Sequence, residues 1–83
     1  MDDQLSFRDR NGRKHHNGDK EKVYRNSMGW TIQQIRFQTY AKAQYKRCRR
    51  WEVLTPSGKF VALEPTFLDA MREAVNGIMK GLQ

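Results

Sequence analysis

Apolar residues are sparse over the first third of the chain and dense after it. Beyond Met1, the stretch to Ser27 carries only Leu5, Phe7, Val23 and Tyr24, widely spaced among Asp, Asn, Gly, Lys, Arg and His. That pattern predicts a disordered polar and basic tail over residues 1–28. From Trp30 the pattern changes. In Trp30–Tyr40, Ile35, Phe37 and Thr39 alternate with Arg36, Gln38 and Tyr40, and β-branched and aromatic residues favour a strand over 31–40. The same stretch also admits a helix, with Trp30, Phe37, Ala41 and Cys48 on one stripe. Residues 41–46 then turn into a second strand that starts near Lys46.

Trp51–Thr55 is rich in strand formers and runs into Thr55-Pro56-Ser57-Gly58. Proline presets φ at the second turn position and Gly58 takes the left-handed φ, which gives a three-residue hairpin loop. In that register Thr55 pairs with Lys59, Val53 with Val61 and Trp51 with Leu63. A loop of even length instead turns Phe60 and Ala62 inward. In the first register the uncovered face carries Arg50, Glu52, Leu54, Phe60 and Ala62, with Arg36, Gln38 and Tyr40 beside them. Exposed Leu54 and Phe60 are then candidate contacts for a partner.

After the return strand Lys59–Leu63, Pro65 ends the extended run and Thr66 caps a helix, with Asp69 in its first turn. Phe67, Met71, Ala74, Val75, Ile78 and Leu82 recur at spacings of three and four and form its buried face. Gly77 costs about 1 kcal/mol in a helix interior and predicts fraying near that point. The expected fold is α+β: a three-stranded antiparallel sheet packed by one C-terminal helix (βββα), spanning residues 29–83.

The 83 residues suffice for one domain, and no apolar run is long enough to span a membrane. No signal peptide is evident, and the single cysteine, Cys48, forms no internal disulfide, so a cytoplasmic location is expected. The net charge is +7, and its placement matters more than its size. Residues 30–63 hold seven Lys/Arg against Glu52 alone, whereas the helix region is close to neutral. Lys46-Arg47-Cys48-Arg49-Arg50 is the densest run. A concentrated basic surface points to a polyanion, with nucleic acid the commonest.

The order of three strands then one helix resembles the three-stranded-sheet DNA-binding domains: the arm-binding domain of tyrosine integrases and the plant ethylene-response DNA-binding domain. The resemblance covers residues 31–80 and rests on Trp51 and Val53, the Pro56/Gly58 turn, Phe60–Leu63, and a helix with Thr66, Ala70, Ala74 and Val75. It implies that the sheet enters the DNA major groove, with Arg36, Gln38, Tyr40, Arg50, Glu52 and Lys59 as contacting positions. It also suits a small accessory or regulatory protein of a phage or mobile element.

Physical chemistry adds to that expectation. Arg grips guanine and Gln grips adenine with paired hydrogen bonds. Lys42, Lys46, Arg47 and Lys59 supply phosphate contacts, and Arg49 belongs to the same run. Tyr40 and Phe60 suit thymine methyls or unpaired bases, the latter favouring single strands or RNA. Three binding readings follow: duplex DNA first, then an RNA- or ribosome-associated protein, then an inhibitor or adaptor that docks on a host protein. An enzyme is not expected, since Glu52 among arginines is the sole carboxylate with any catalytic suggestion. No metal or cofactor is expected, because adjacent His15 and His16 have no suitably spaced partner. A monomer or weak homodimer is the expected state.

Overall fold

The structure, a computed structural model, describes residues 5–41 and 44–83; residues 37–41 and 44–48 are described by strand course and pairing alone. Its elements are β1 (Val23–Arg25), β2 (Thr31–Ala41), β3 (Gln44–Leu54), β4 (Phe60–Glu64) and α1 (Phe67–Met79). All neighbouring strands pair antiparallel, in the order β1-β2-β3-β4. The α+β class and the C-terminal helix stand as expected. The three-stranded sheet does not, because a fourth strand comes from the segment expected to be a tail.

Three residues are too few to display a period of their own, so β1 has no signature in the hydrophobic pattern. Its place is set by the turn that follows. Asn26 accepts hydrogen bonds at Oδ1 from the N–H groups of Met28 (3.1 Å) and Trp30 (2.9 Å), and Gly29 takes φ of 92°. This folds β1 back on β2. Arg8 and Arg25 then exchange two backbone hydrogen bonds of 2.9 Å, which adds a rung outside β1. Asp9 closes its own turn by accepting from the N–H groups of Asn11 and Arg13. These bonds bring Phe7 into the core, where it is as buried as Tyr24 and Ile32.

The core begins as one row across the sheet. Tyr24 pairs with Ile32, Ile32 with Val53 and Val53 with Ala62. Cross-strand partners share a face, so all four lie beneath α1, and all four are buried. Trp30, Trp51 and Phe67 complete the core. His15 joins it too. Its ring stacks on Phe67 at 4.2 Å and 12°, and meets Tyr24 and Trp51 edge-on at 5.4 and 5.3 Å. His15 therefore packs against the core although it lies in the segment expected to be a tail.

The β3–β4 turn forms as the residues require. Gly58 donates to the Thr55 carbonyl and Thr55 to that of Lys59, both at 2.9 Å, and Gly58 has φ of 89°. The pairing beyond it differs. Leu54 pairs with Phe60 and Val53 with Ala62, so Val61 is an extra, bulged residue. The expected pairs Val53–Val61 and Trp51–Leu63 give way to Val53–Ala62 and Trp51–Glu64. The bulge places a small alanine under the helix and turns Leu63 outward. Ala41 and residues 44–46, expected in the turn, are instead strand: β2 runs to Ala41 and β3 starts at Gln44, and residues 42–43 lie outside the described residues.

The helix starts as expected, with the Asp69 N–H donating to Thr66 Oγ1 at 3.1 Å. Its buried residues are Phe67, Ala70, Ala74 and Gly77, flanked by Met71 and Ile78, while Leu82 is exposed. The face is rotated toward small residues because they allow the helix close to the sheet. Gly77 shows why. A Cβ there would sit 2.6 Å from the Trp30 ring. The glycine penalty of about 1 kcal/mol is small beside the roughly 3–5 kcal/mol that burial of a tryptophan contributes. The helix accordingly continues through Gly77 to Met79. It closes with Leu82 N–H donating to the Gly77 carbonyl and Gly81 N–H to that of Ile78, both at 3.0 Å.

Gly77→Ala tests this packing directly. Helix propensity alone favours alanine by about 1 kcal/mol, but overpacking against Trp30 predicts a net loss of about 1–3 kcal/mol. Urea denaturation decides the sign, and a stabilised variant would exclude the Trp30–Gly77 contact.

Candidate nucleic-acid interface

The β2–β3 hairpin is much longer than its neighbours. Both strands have 11 residues, a length of about 35 Å at the usual rise. β1 pairs with β2 only as far as Gln33, with one further bond from the Gln34 N–H to the Lys22 carbonyl at 2.7 Å. β4 pairs with β3 no farther than Trp51. Past Gln34 and Trp51 the two strands continue as a ribbon with no other strand beside it among the described residues. The molecule accordingly measures 46 × 27 × 18 Å along its principal axes. Residues 36–50, the ribbon segment, hold six Lys/Arg and no Asp or Glu.

The register divides the expected contact residues between two faces. Arg36 and Arg49 are direct cross-strand partners, and both are exposed. Their strand positions follow Ile32, Gln34, Trp51 and Val53, so they lie on the α1 side of the sheet, beyond the helix. Arg50 pairs with Ile35 on the opposite face, and its guanidinium donates to the Arg49 carbonyl at 2.7 Å. The expectation that Arg36 stands beside Arg50, Glu52 and Leu54 is corrected: parity with buried Ile32 puts it on the other side. Lys59 is exposed at the β3–β4 turn, the end of β3 opposite the ribbon tip. The side chains of Gln38, Tyr40, Lys46 and Arg47 lie outside the described residues, as does Lys42 entirely.

The face away from α1 is less basic than expected. Phe60 is 59% exposed, with Leu63 and Val23 also exposed and Leu54 half-buried. Glu52 accepts a hydrogen bond from Gln33 Nε2 at 2.8 Å, which ties it to its cross-strand partner.

Two basic residues enter from the segment preceding β1. Lys20 and Lys22 line a cleft of about 370 Å³ together with Gln34, Arg36, Arg49, Asp19 and Glu21. A larger cleft of about 700 Å³ shares Lys20, Glu21 and Lys22 with it and adds Arg8, Arg10 and Arg25 with Asp9. A basic band thus runs from the outer edge of β1 to the root of the ribbon. Composition gave no reason to join Lys20 and Lys22 to Arg36, because only strand pairing brings them together.

The carboxylates in the smaller cleft are already engaged. Asp19 accepts from the Tyr24 hydroxyl at Oδ2 and from the Glu21 N–H at Oδ1. The Tyr24 hydrogen bond, then the backbone bond, hold its carboxyl below the usual carboxylate range. Burial, then the Asp19 hydrogen bond, push the Tyr24 phenol up. Glu21 is 3.4 Å from Arg10. Among the described residues no three His, Cys, Asp or Glu side chains group as metal ligands, and no helix is long and apolar enough to cross a membrane.

Comparison with known proteins finds no matching family model, no curated relative and no solved structure.

The ionisable groups near this site make stability depend on pH. Burial against the aromatic rings lowers the His15 pKa below its ordinary value of 6.5, and Asp19 lies below 3.8. The unfolded chain therefore takes up each proton at higher pH than the folded chain. The stability that these two groups contribute is full above about pH 7.5, falls as pH drops through 6.5 on account of His15, and falls again below about 4.5 on account of Asp19. Urea midpoints from pH 8 to 5 should show the first fall, and His15→Phe should remove it.

Proposed function

We propose that the chain is a small nucleic-acid-binding protein that engages duplex DNA through the β2–β3 ribbon and the basic band at its root. The observation that carries this reading is the ribbon itself: a two-stranded projection whose segment 36–50 holds six cations and no carboxylate. A two-stranded ribbon fits the major groove of B-DNA, and cations at this density suit its phosphates. The surface differs from the open sheet face implied by the resemblance to three-stranded-sheet DNA-binding domains, since Val23, Phe60, Leu63 and Glu52 occupy that face. An accessory or regulatory role fits a protein of this size that binds without catalysis.

A second reading has its own observation. Exposed Phe60 and Leu63, with half-buried Leu54 paired to Phe60, form an apolar group on an uncovered sheet face, and aromatic residues anchor protein interfaces. In this reading the protein is an adaptor or inhibitor that docks on a partner protein.

Anisotropy titrations on labelled duplex DNA, single-stranded DNA and hairpin RNA separate the two. The duplex reading predicts the tightest binding to duplex, with log K falling against log salt by about 0.9 per phosphate neutralised. A preference for the unpaired probes would move the reading to RNA or single strands. Weak, equal binding to all three would overturn it in favour of a protein partner.

A further inference from the structure

Two arginines, Arg36 and Arg49, face each other across the root of the ribbon. The alternation of hydrogen bonding makes the pair close. The Gln34 N–H points to the Lys22 carbonyl and hence away from β3. Arg36, two residues on, has the same orientation, so Arg36 and Arg49 form a non-hydrogen-bonded pair with Cα atoms about 4.5 Å apart. Like charges directly opposite in this closer class of pair destabilise a sheet. Neither arginine makes an ion pair among the described residues.

The adjoining segment adds charge of the same sign. Lys22 lies beside Gln34 through the 2.7 Å backbone bond, and its Nζ is 3.4 Å from Gln34 Oε1. Lys20 lines the same cleft of about 370 Å³. Four cations therefore surround a space that contains two carboxylates. Asp19 has its oxygens turned to Tyr24 and the Glu21 N–H, and Glu21 lies toward Arg10. Neither neutralises the arginine pair.

We infer that this cleft is a phosphate site, in which Arg36 and Arg49 grip one backbone phosphodiester while Lys20 and Lys22 hold its neighbour. It rests on the nucleic-acid reading and makes it specific. The ribbon's root, with the segment before β1, clamps the backbone and so sets the position of the ribbon. Guanidinium suits this task because its fixed fork donates two parallel hydrogen bonds to phosphate oxygens, and ammonium serves as a mobile point charge. The site carries no base information, and its loss weakens every duplex sequence alike.

The test compares wild type with the double variants Arg36→Gln/Arg49→Gln and Lys20→Gln/Lys22→Gln, with Arg72→Gln on the helix as a control of equal charge per site. Each is titrated into labelled 20-base-pair duplexes of two unrelated sequences at several salt concentrations, and each is melted alone. Loss of one phosphate contact in either double variant lowers the slope of log K against log salt by about 0.9. At 0.1 M salt this weakens binding about 8-fold on both sequences. The melting temperature of Arg36→Gln/Arg49→Gln should hold or rise, because a like-charge pair is removed. If wild type binds duplex and both double variants keep its salt slope, the phosphate site is overturned while the nucleic-acid reading survives. If wild type does not bind duplex, that reading fails, and inorganic phosphate decides the site. A phosphate-induced rise in melting temperature, absent from Arg36→Gln/Arg49→Gln, would sustain it; no rise in wild type would overturn it.

Discussion

Tyr24, Ile32, Val53 and Ala62 stand side by side across four strands, and the rest of the molecule follows from burying that row under α1. A strand has a side-chain period of two, so fixing one buried residue per strand fixes the face of every other. Ile32 under the helix puts Arg36 on the helix side, and Val53 does the same for Arg49. The packing of the core and the pairing of two surface arginines are thus the same constraint read at two places on one hairpin.

The constraint also explains the small residues. A helix lies flat on this row only if its contact face is shallow, and Ala70, Ala74 and Gly77 make it so. Trp30 fills the space over Gly77, which is why a poor helix former sits inside a helix. The Val61 bulge serves the same packing by bringing Ala62, rather than a larger residue, beneath the helix. The N-terminal segment is held on this platform by His15 against Phe67 and by Tyr24 bonded to Asp19. Carrying it there also carries Lys20 and Lys22 to the ribbon. A burial device that stabilises the domain therefore assembles the basic band.

The functional consequence is a division of surfaces. One side bears exposed cations at the root of a projecting ribbon. The other bears Phe60, Leu63 and Val23, where a protein surface would find apolar contacts. Long, unpaired hairpins expose strand edges, and dense like charge on such edges also deters strand-to-strand aggregation. That role is compatible with the proposed phosphate site, in which Lys20, Lys22, Arg36 and Arg49 share one cleft.

Local chemistry in the sequence determined the Pro56–Gly58 turn, the Thr66 cap, the alternation along β2 and the C-terminal helix, because each depends on residues within a few positions of one another. It also marked residues 30–63 as the basic part of the chain. Tertiary structure decided what depends on distant partners. β1 has three residues and no period, so its existence rests on pairing with β2 and on the Asn26 turn. The bulge at Val61 and the rotation of the helix face were settled by fit against the core, where an alanine or glycine outranks a larger apolar residue. The arginine pair was settled by register: the same alternation was legible in β2, but which set of side chains faced the helix depended on Ile32 meeting Val53 and Tyr24 across the sheet.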